Sequence, residues 1–279
     1  MWPLYKNELI KAFSKWRTYI SFAAVGIVIP LVMWGFHAGG AAVQRNMLAR
    51  LGESFITTGN LANGMWASHL IMNALFIHIP FLITLVAGDV VAGEGTAGTL
   101  RLYLTRPVSR MRILTAKLLA AATYSTGLVA FMGVLSLVLG NAWLGTGDVF
   151  LIDDEGILVL AFETALVRFA LAYAFAMYIM LTVTTLTFLF SVTVTNAIGP
   201  IVGTMAVLII SGVLTVIDLD ALAALKQHLF MTHFVLWQYA FYEVVPWDKV
   251  AASLLNLGIY SVVFTAAAFL VFRRKDILS

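Results

Sequence analysis

Phe169-Ala-Leu-Ala-Tyr-Ala-Phe-Ala-Met-Tyr-Ile-Met-Leu-Thr-Val-Thr-Thr-Leu-Thr-Phe-Leu-Phe-Ser-Val192 carries no charged residue and no proline. Its apolar residues form a continuous run rather than the strict alternation of a half-buried strand. It also exceeds the roughly 20 residues that cross about 30 Å of hydrocarbon as a helix. Five further stretches read the same way: Tyr19–Phe36, Ala67–Ala87, Leu118–Leu139, Ala197–Ile217 and Val250–Phe272. The whole chain agrees, with 279 residues, 61% hydrophobic and 11% charged, and a mean hydropathy of +0.95. Soluble chains run nearer half apolar and a quarter charged. Disordered, fibrous and ordinary cytosolic classes are excluded, and continuous apolar runs speak against a transmembrane barrel. The expectation is an all-α membrane protein of about six transmembrane helices in one domain, residues 1–279. The absence of cysteine removes disulfides and thiolate metal sites.

The charges orient the spans. Lys6, Lys11, Lys15 and Arg17 precede the first. Arg101, Arg106, Arg110, Arg112 and Lys117 lie between the second and third, and Arg273, Arg274 and Lys275 follow the last. These twelve of the 17 basic residues fall on one side of a six-span chain, whereas ten of the 14 acids lie elsewhere. By the positive-inside rule both termini are cytoplasmic. The first span is read as a retained anchor, because its apolar run exceeds the roughly 7–15 residues usual in a secretory leader. The other face carries connections at about 37–66, 140–162 and 218–249. The first of these holds a helix-like stretch, Ala41–Ile56. The third is dense in aromatics, including Phe230, Phe234, Trp237, Tyr239 and Trp247, which suits an interfacial or half-inserted helix.

On the basic side, residues 1–18 read as an amphipathic helix. Tyr5, Leu9, Phe13, Trp16 and Ile20 recur at helical spacing opposite a polar stripe of Asn7, Lys11, Ser14 and Thr18. Its tryptophans suit the headgroup layer and its lysines suit anionic membrane lipid. Residues 89–112 leave the second span through a glycine-rich turn containing Gly93, Glu94, Gly95 and Gly98. Thr96 or Thr99 can cap a short helix with Leu100, Tyr103 and Leu104 on one face. Leu100, Leu102 and Leu104 also alternate as a strand would, so periodicity leaves both open. Pro107 ends the element by lacking an amide hydrogen.

Glu94-Gly-Thr-Ala-Gly-Thr-Leu100, then Leu104-Thr-Arg-Pro-Val-Ser-Arg110 and Lys117, resembles the signature of ABC-transporter permeases of the second exporter class. The ending Phe272-Arg-Arg-Lys-Asp-Ile277 and the amphipathic start are similar to those of the same family. The resemblance implies a six-span subunit that pairs with a second copy and with two cytoplasmic ATPase subunits. It implies a coupling, ATPase-docking segment of Glu94, Gly95, Thr96, Gly98, Thr99, Leu100, Arg101, Tyr103, Leu104, Arg106, Pro107 and Arg110. It also implies a connecting helix bearing Lys6, Lys11 and Lys15, and a route lined by the second and fifth spans near Met72, Phe76, Met205 and Leu208. ATP and magnesium would sit on the partner, no cofactor on this chain, and the location would be a prokaryotic inner membrane.

The residues themselves limit the alternatives. No Gly-x-x-x-x-Gly-Lys-Ser/Thr is present to hold ATP phosphates, and no Gly-x-Ser-x-Gly or His-Glu-x-x-His supports a membrane enzyme. Nothing points to nucleic acid. An ion-coupled carrier commonly keeps ionisable groups within its spans. The candidates here are His78, His69 and the Glu163/Arg168 pair, whose spacing of five does not place them on one helical face. His78 is expected to bond a neighbouring helix. Thr184, Thr187, Ser191 and Thr195 form a hydroxyl stripe read as packing, and His228, Met231 and His233 make a weak metal set. An ABC-type assembly that signals without exporting a cargo stays open beside the exporter and the ion-coupled carrier.

Overall fold

The computed structural model describes residues 1–51, 60–98, 108–153, 156–217 and 226–274. A short helix, α1 (Trp2–Ser14), meets the long α2 (Trp16–Leu51) at an extended Lys15. Two short helices, α3 (Gly64–Phe76) and α4 (Ile79–Ala87), lead into α5 (Asp89–Thr96). Then come α6 (Arg110–Leu144), a hairpin of β1 (Val149–Asp153) and β2 (Gly156–Leu160), α7 (Phe162–Thr193) and α8 (Gly199–Val216). A 3-10 helix, Phe230–Phe241, precedes α9 (Trp247–Arg274). Five of these helices are long and apolar enough to cross a membrane, and α3 with α4 makes a bent sixth. The chain is an all-α, multi-pass membrane protein.

The stretch opening the sequence reading becomes the axis of the bundle. In α7, 67% of the most apolar window is buried, against 11–33% in the other single-helix spans. It packs on α4, α5, α6, α8, α9 and the 3-10 helix. Its hydroxyls serve this packing. Thr184 and Thr187 donate to carbonyls one turn back, and Thr204 of α8 lies 3.1 Å from Thr187. Such bonds satisfy polar groups where no water reaches them.

Several expected boundaries shift for identifiable reasons. The second span is two helices bent by 54° rather than one. Pro80 stands at the break, where it removes a helical donor. The first span and the Ala41–Ile56 stretch are one helix as far as Leu51, because glycine in a helix costs about 1 kcal/mol but is not by itself a stop. Glu163 and Arg168 fall inside α7, and Arg168 donates to the Glu243 carbonyl at 3.2 Å. In the aromatic 230–241 segment, Phe230, Phe234, Trp237 and Phe241 are buried against the bundle, with the His69 ring 4.7 Å from that of Phe241. His78, in the turn between α3 and α4, bonds the Ala74 carbonyl at the end of α3 instead of a helix of another span. His233 lies 3.1 Å from the Ser253 hydroxyl.

One helix crossing is set by glycines. A Cβ on Gly64 would overlap the Gly140 carbonyl, and one on Gly140 would stand 2.7 Å from the Gly64 oxygen. Small residues allow this approach of α3 to α6, and Ser68 bridges it to the Ser136 carbonyl at 2.9 Å. Gly64→Ala should therefore destabilise the bundle by about 1–3 kcal/mol. Gly127→Ala, at an α6 position where a Cβ meets nothing within 4 Å, should be neutral or stabilising by up to about 1 kcal/mol. Thermal unfolding in detergent checks both, and equal shifts would refute this account of the crossing.

Candidate functional site

The extended backbone at Lys15 turns α1 back along the end of the bundle, so that it lies on α6 and against α2. Thr18 secures the turn by donating to the Ala12 carbonyl. This orientation buries Glu8 and Ala12 and brings Lys11 and Lys15 against α5. The expectation that these lysines meet lipid headgroups is thereby corrected: Lys11 and Lys15 are bound to acids of the protein. Lys6 stays exposed.

α5 is set by contacts from elsewhere in the chain. Its N-cap, Gly88, has no side chain to accept from the first amides. Ser191 of α7 supplies that acceptor: its oxygen takes hydrogen bonds from Val91 and Ala92 at 3.1 and 3.0 Å and donates to the Gly88 carbonyl at 2.7 Å. Orphan amides at a helix start need such a partner. Thr96, expected at the start of a helix, stands at the end of this one and ties it to the Thr195 carbonyl at 2.9 Å. Gly98 follows with φ +68°, the left-handed conformation that terminates many helices. Gly93 leaves room for the Asp89 carboxylate, whose Cγ would stand 2.7 Å from an added Cβ.

Four charged side chains then close a ring. Lys117 of α6 reaches Glu94 at 2.7 Å and Glu8 at 2.9 Å. Lys11 reaches the same two carboxylates at 2.8 and 2.7 Å. Lys117 also donates to the Val90 carbonyl at 3.1 Å. Beside the ring, Asp89 holds Lys15 at 2.7 Å and Arg17 at 2.8 Å. Lys117 is wholly buried, and Glu8, Glu94 and Asp89 are each below 9% exposed. Lys117, one of the bases counted toward the cytoplasmic loops, is thus an interior residue. The arrangement links α1, α5 and α6 through charge.

Of the sequence-derived coupling residues, Glu94 is in the ring, while Gly95, Thr96, Gly98 and Arg110 flank it. Thr99, Leu100, Arg101, Tyr103, Leu104, Arg106 and Pro107 lie outside the described residues. Met72, Phe76 and Leu208 are buried in the core, and Met205 reaches an open apolar groove. Glu8 and Asp89 were missed. They had one signal: with Glu94 and Asp276 they are the four acids that fall among the twelve bases of this side.

Withdrawing charges from water is costly, so a buried pair is not stabilising merely by existing; removing one partner leaves the others stranded. Lys117→Met, which leaves two buried carboxylates sharing the one ammonium of Lys11, should lower stability by about 3–5 kcal/mol. Lys6→Met, at the exposed position, should stay within about 0.5 kcal/mol. Burial alone would raise the Glu94 pKa, but Lys117 and Lys11 outweigh it and hold the carboxyl below its ordinary 4.5. A carboxyl depressed in the folded chain contributes stability that is full above its ordinary pKa and is lost as pH falls through the folded value. Thermal unfolding followed downward in pH should show that loss in the acid range, and Glu94→Gln should remove this component. An unchanged acid limb in Glu94→Gln would contradict it.

Comparison with known proteins adds a family. The chain is 26% identical over 219 residues to "Uncharacterized protein YhcI" of Bacillus subtilis (strain 168), an alignment covering 75% of this chain and 68% of that protein. A family model described as "Protein of unknown function (DUF2705)" matches residues 25–278. Since this match takes in nearly the whole membrane domain, from α2 to beyond α9, the chain belongs to the DUF2705 family.

Proposed function

We propose that the chain is the membrane subunit of an ATP-driven exporter of the ABC class, working as a pair of copies with two cytoplasmic ATPase subunits. The observation that carries this reading is the charge ring joining α1, α5 and α6. Residues 99–107 connect α5 to α6, and these are the helices that the ring locks together and to α1. A force on that connection would reach the second and third spans as one displacement instead of dissipating in loosely held ends. The connection carries Arg101 and Arg106 in the stretch that resembles the coupling element of such permeases.

The charge bias supports placing this end in the cytoplasm, because the positive-inside rule counts lysine and arginine and gives acids little weight. Lys11, Lys15, Arg17 and Lys117 therefore still count although each is paired. The buried carboxylates Asp89 and Glu94 lie beyond Ala87, at the foot of the bent span, and Glu8 of α1 meets them there, with their cations already in contact. That position suits a mechanical joint better than an ion route through the bundle.

The test uses the full chain with its ATPase partner. Arg101→Glu with Arg106→Glu should weaken assembly and abolish stimulation of ATP hydrolysis by the membrane subunit, while the chain alone keeps its unfolding temperature. Unchanged assembly and stimulation would reject the coupling role. Transport by the isolated chain under a proton or sodium gradient, without nucleotide, would reject the exporter reading altogether.

A further inference from the structure

The ring is formally neutral, two carboxylates against two ammonium groups, but the contact beside it is not. Asp89 alone faces both Lys15 and Arg17, at 2.7 and 2.8 Å. One positive charge is left over. The two cationic side chains are 41% and 46% exposed, against 11% for the carboxylate between them, so the surplus faces outward. Being tied to an acid does not exhaust these cations. An ammonium has three N–H groups and a guanidinium five. Each spends one on Asp89, and among the described residues neither head group bonds another acceptor.

Lys15 and Arg17 border a cleft of about 630 Å³ between the α1–α2 junction and α5. Small residues, Gly93 and Ala97, form part of the α5 wall, and Ser14 and Trp16 line the other side. Lys11 and Glu94 also border it, as members of the neutral ring. The surface around the cleft says what kind of anion can reach it. Arg17 is the second residue of the first membrane-spanning helix, and Lys15 immediately precedes that helix. Trp16, Tyr19 and Ile20 beside them are 77%, 52% and 42% exposed. Aromatic rings at the end of a span sit among lipid headgroups, and basic pockets at that depth hold headgroup phosphates. Arginine suits this use, because its planar fork matches two phosphate oxygens at once.

We infer that the cleft binds the phosphate of an anionic phospholipid, held by Arg17 and Lys15, with Trp16 against the glycerol backbone. A phosphodiester of charge −1 matches the surplus of +1, whereas the phosphate of phosphatidylcholine is already neutralised by its own choline. The site does not rest on the exporter reading.

The probes are phosphatidylglycerol and phosphatidylcholine of matched acyl chains, titrated onto the full chain in neutral detergent micelles and read by native mass spectrometry. One phosphatidylglycerol per chain should bind about fivefold more tightly than phosphatidylcholine, the factor for about 1 kcal/mol per basic residue near a membrane surface. Arg17→Gln and Lys15→Gln each cancel the surplus while leaving Asp89 one cation, and each should abolish the preference. Arg17→Lys, which keeps the charge, should retain it, and so should Lys6→Gln, which removes an exposed charge of α1 outside the cleft. Unchanged phosphatidylcholine binding in all four variants separates loss of the site from loss of the fold. Equal binding of the two lipids, a preference that survives both glutamine variants at Lys15 and Arg17, or an equal loss in Lys6→Gln would overturn the site in favour of diffuse attraction to a basic face. Inorganic phosphate at millimolar concentration should not displace the lipid. Displacement would overturn the lipid assignment and give the cleft to a soluble phosphate.

Discussion

Four side chains of alternating charge, Glu8, Lys11, Glu94 and Lys117, meet with three of them buried and only Lys11 partly open to water, and the arrangement at this end of the molecule follows from that meeting. Each carboxylate touches both ammonium groups, so the ring is neutral and none of its members can be displaced alone without exposing the rest to a low-dielectric surrounding. Apolar packing could hold α1 against α6 in many registers. Opposite charges that must coincide within hydrogen-bond distance permit few. The helix α1, the foot of the bent span and the start of α6 are therefore positioned together.

This constraint explains features that seem unrelated in the sequence. Gly93 makes space for the Asp89 carboxylate, and Ser191 completes the first turn of α5 from a helix about a hundred residues later. The extended Lys15 reverses the chain so that Lys11 faces inward. The ring thus draws on α1, α5 and α6 directly and on α7 through its support. The bend at Pro80 separates this braced end from α3, whose own position is set by the glycine contact with Gly140.

The bundle was legible in the sequence because membrane insertion depends on long-range averages: every apolar run of sufficient length became a helix or, for the second, a bent pair of helices. The bend was less visible, since one proline in an apolar run leaves mean hydropathy unchanged. The packing of the aromatic 230–241 segment was hidden for a related reason. Aromatic residues suit both the headgroup layer and a packed core, and only contacts with His69, Phe76 and α7 decide between them. The charge ring was half legible. Its bases stood out by number, but Lys117 looked like one more loop cation. Glu8 was a lone acid among lysines, and nothing local announces that two residues 109 positions apart will touch. The inward face of α1 depends on the turn at Lys15, which periodicity does not reveal.

The ring also imposes an order on how the molecule is made. Its members occur along the chain as Glu8, Lys11, Glu94 and Lys117, and the last stands near the start of the third span. During synthesis from the N-terminus, α1 emerges with a carboxylate and ammonium that have only each other. Glu94 arrives unneutralised by its principal cation, and the ring closes when Lys117 arrives. Until then the first helix is held by charge only through Lys11 on Glu94 and Lys15 on Asp89, so the third span is the earliest point at which the full set of charged contacts at this end can form. A nascent chain stopped before residue 117 would hold three of the ring's four members and none of its closure.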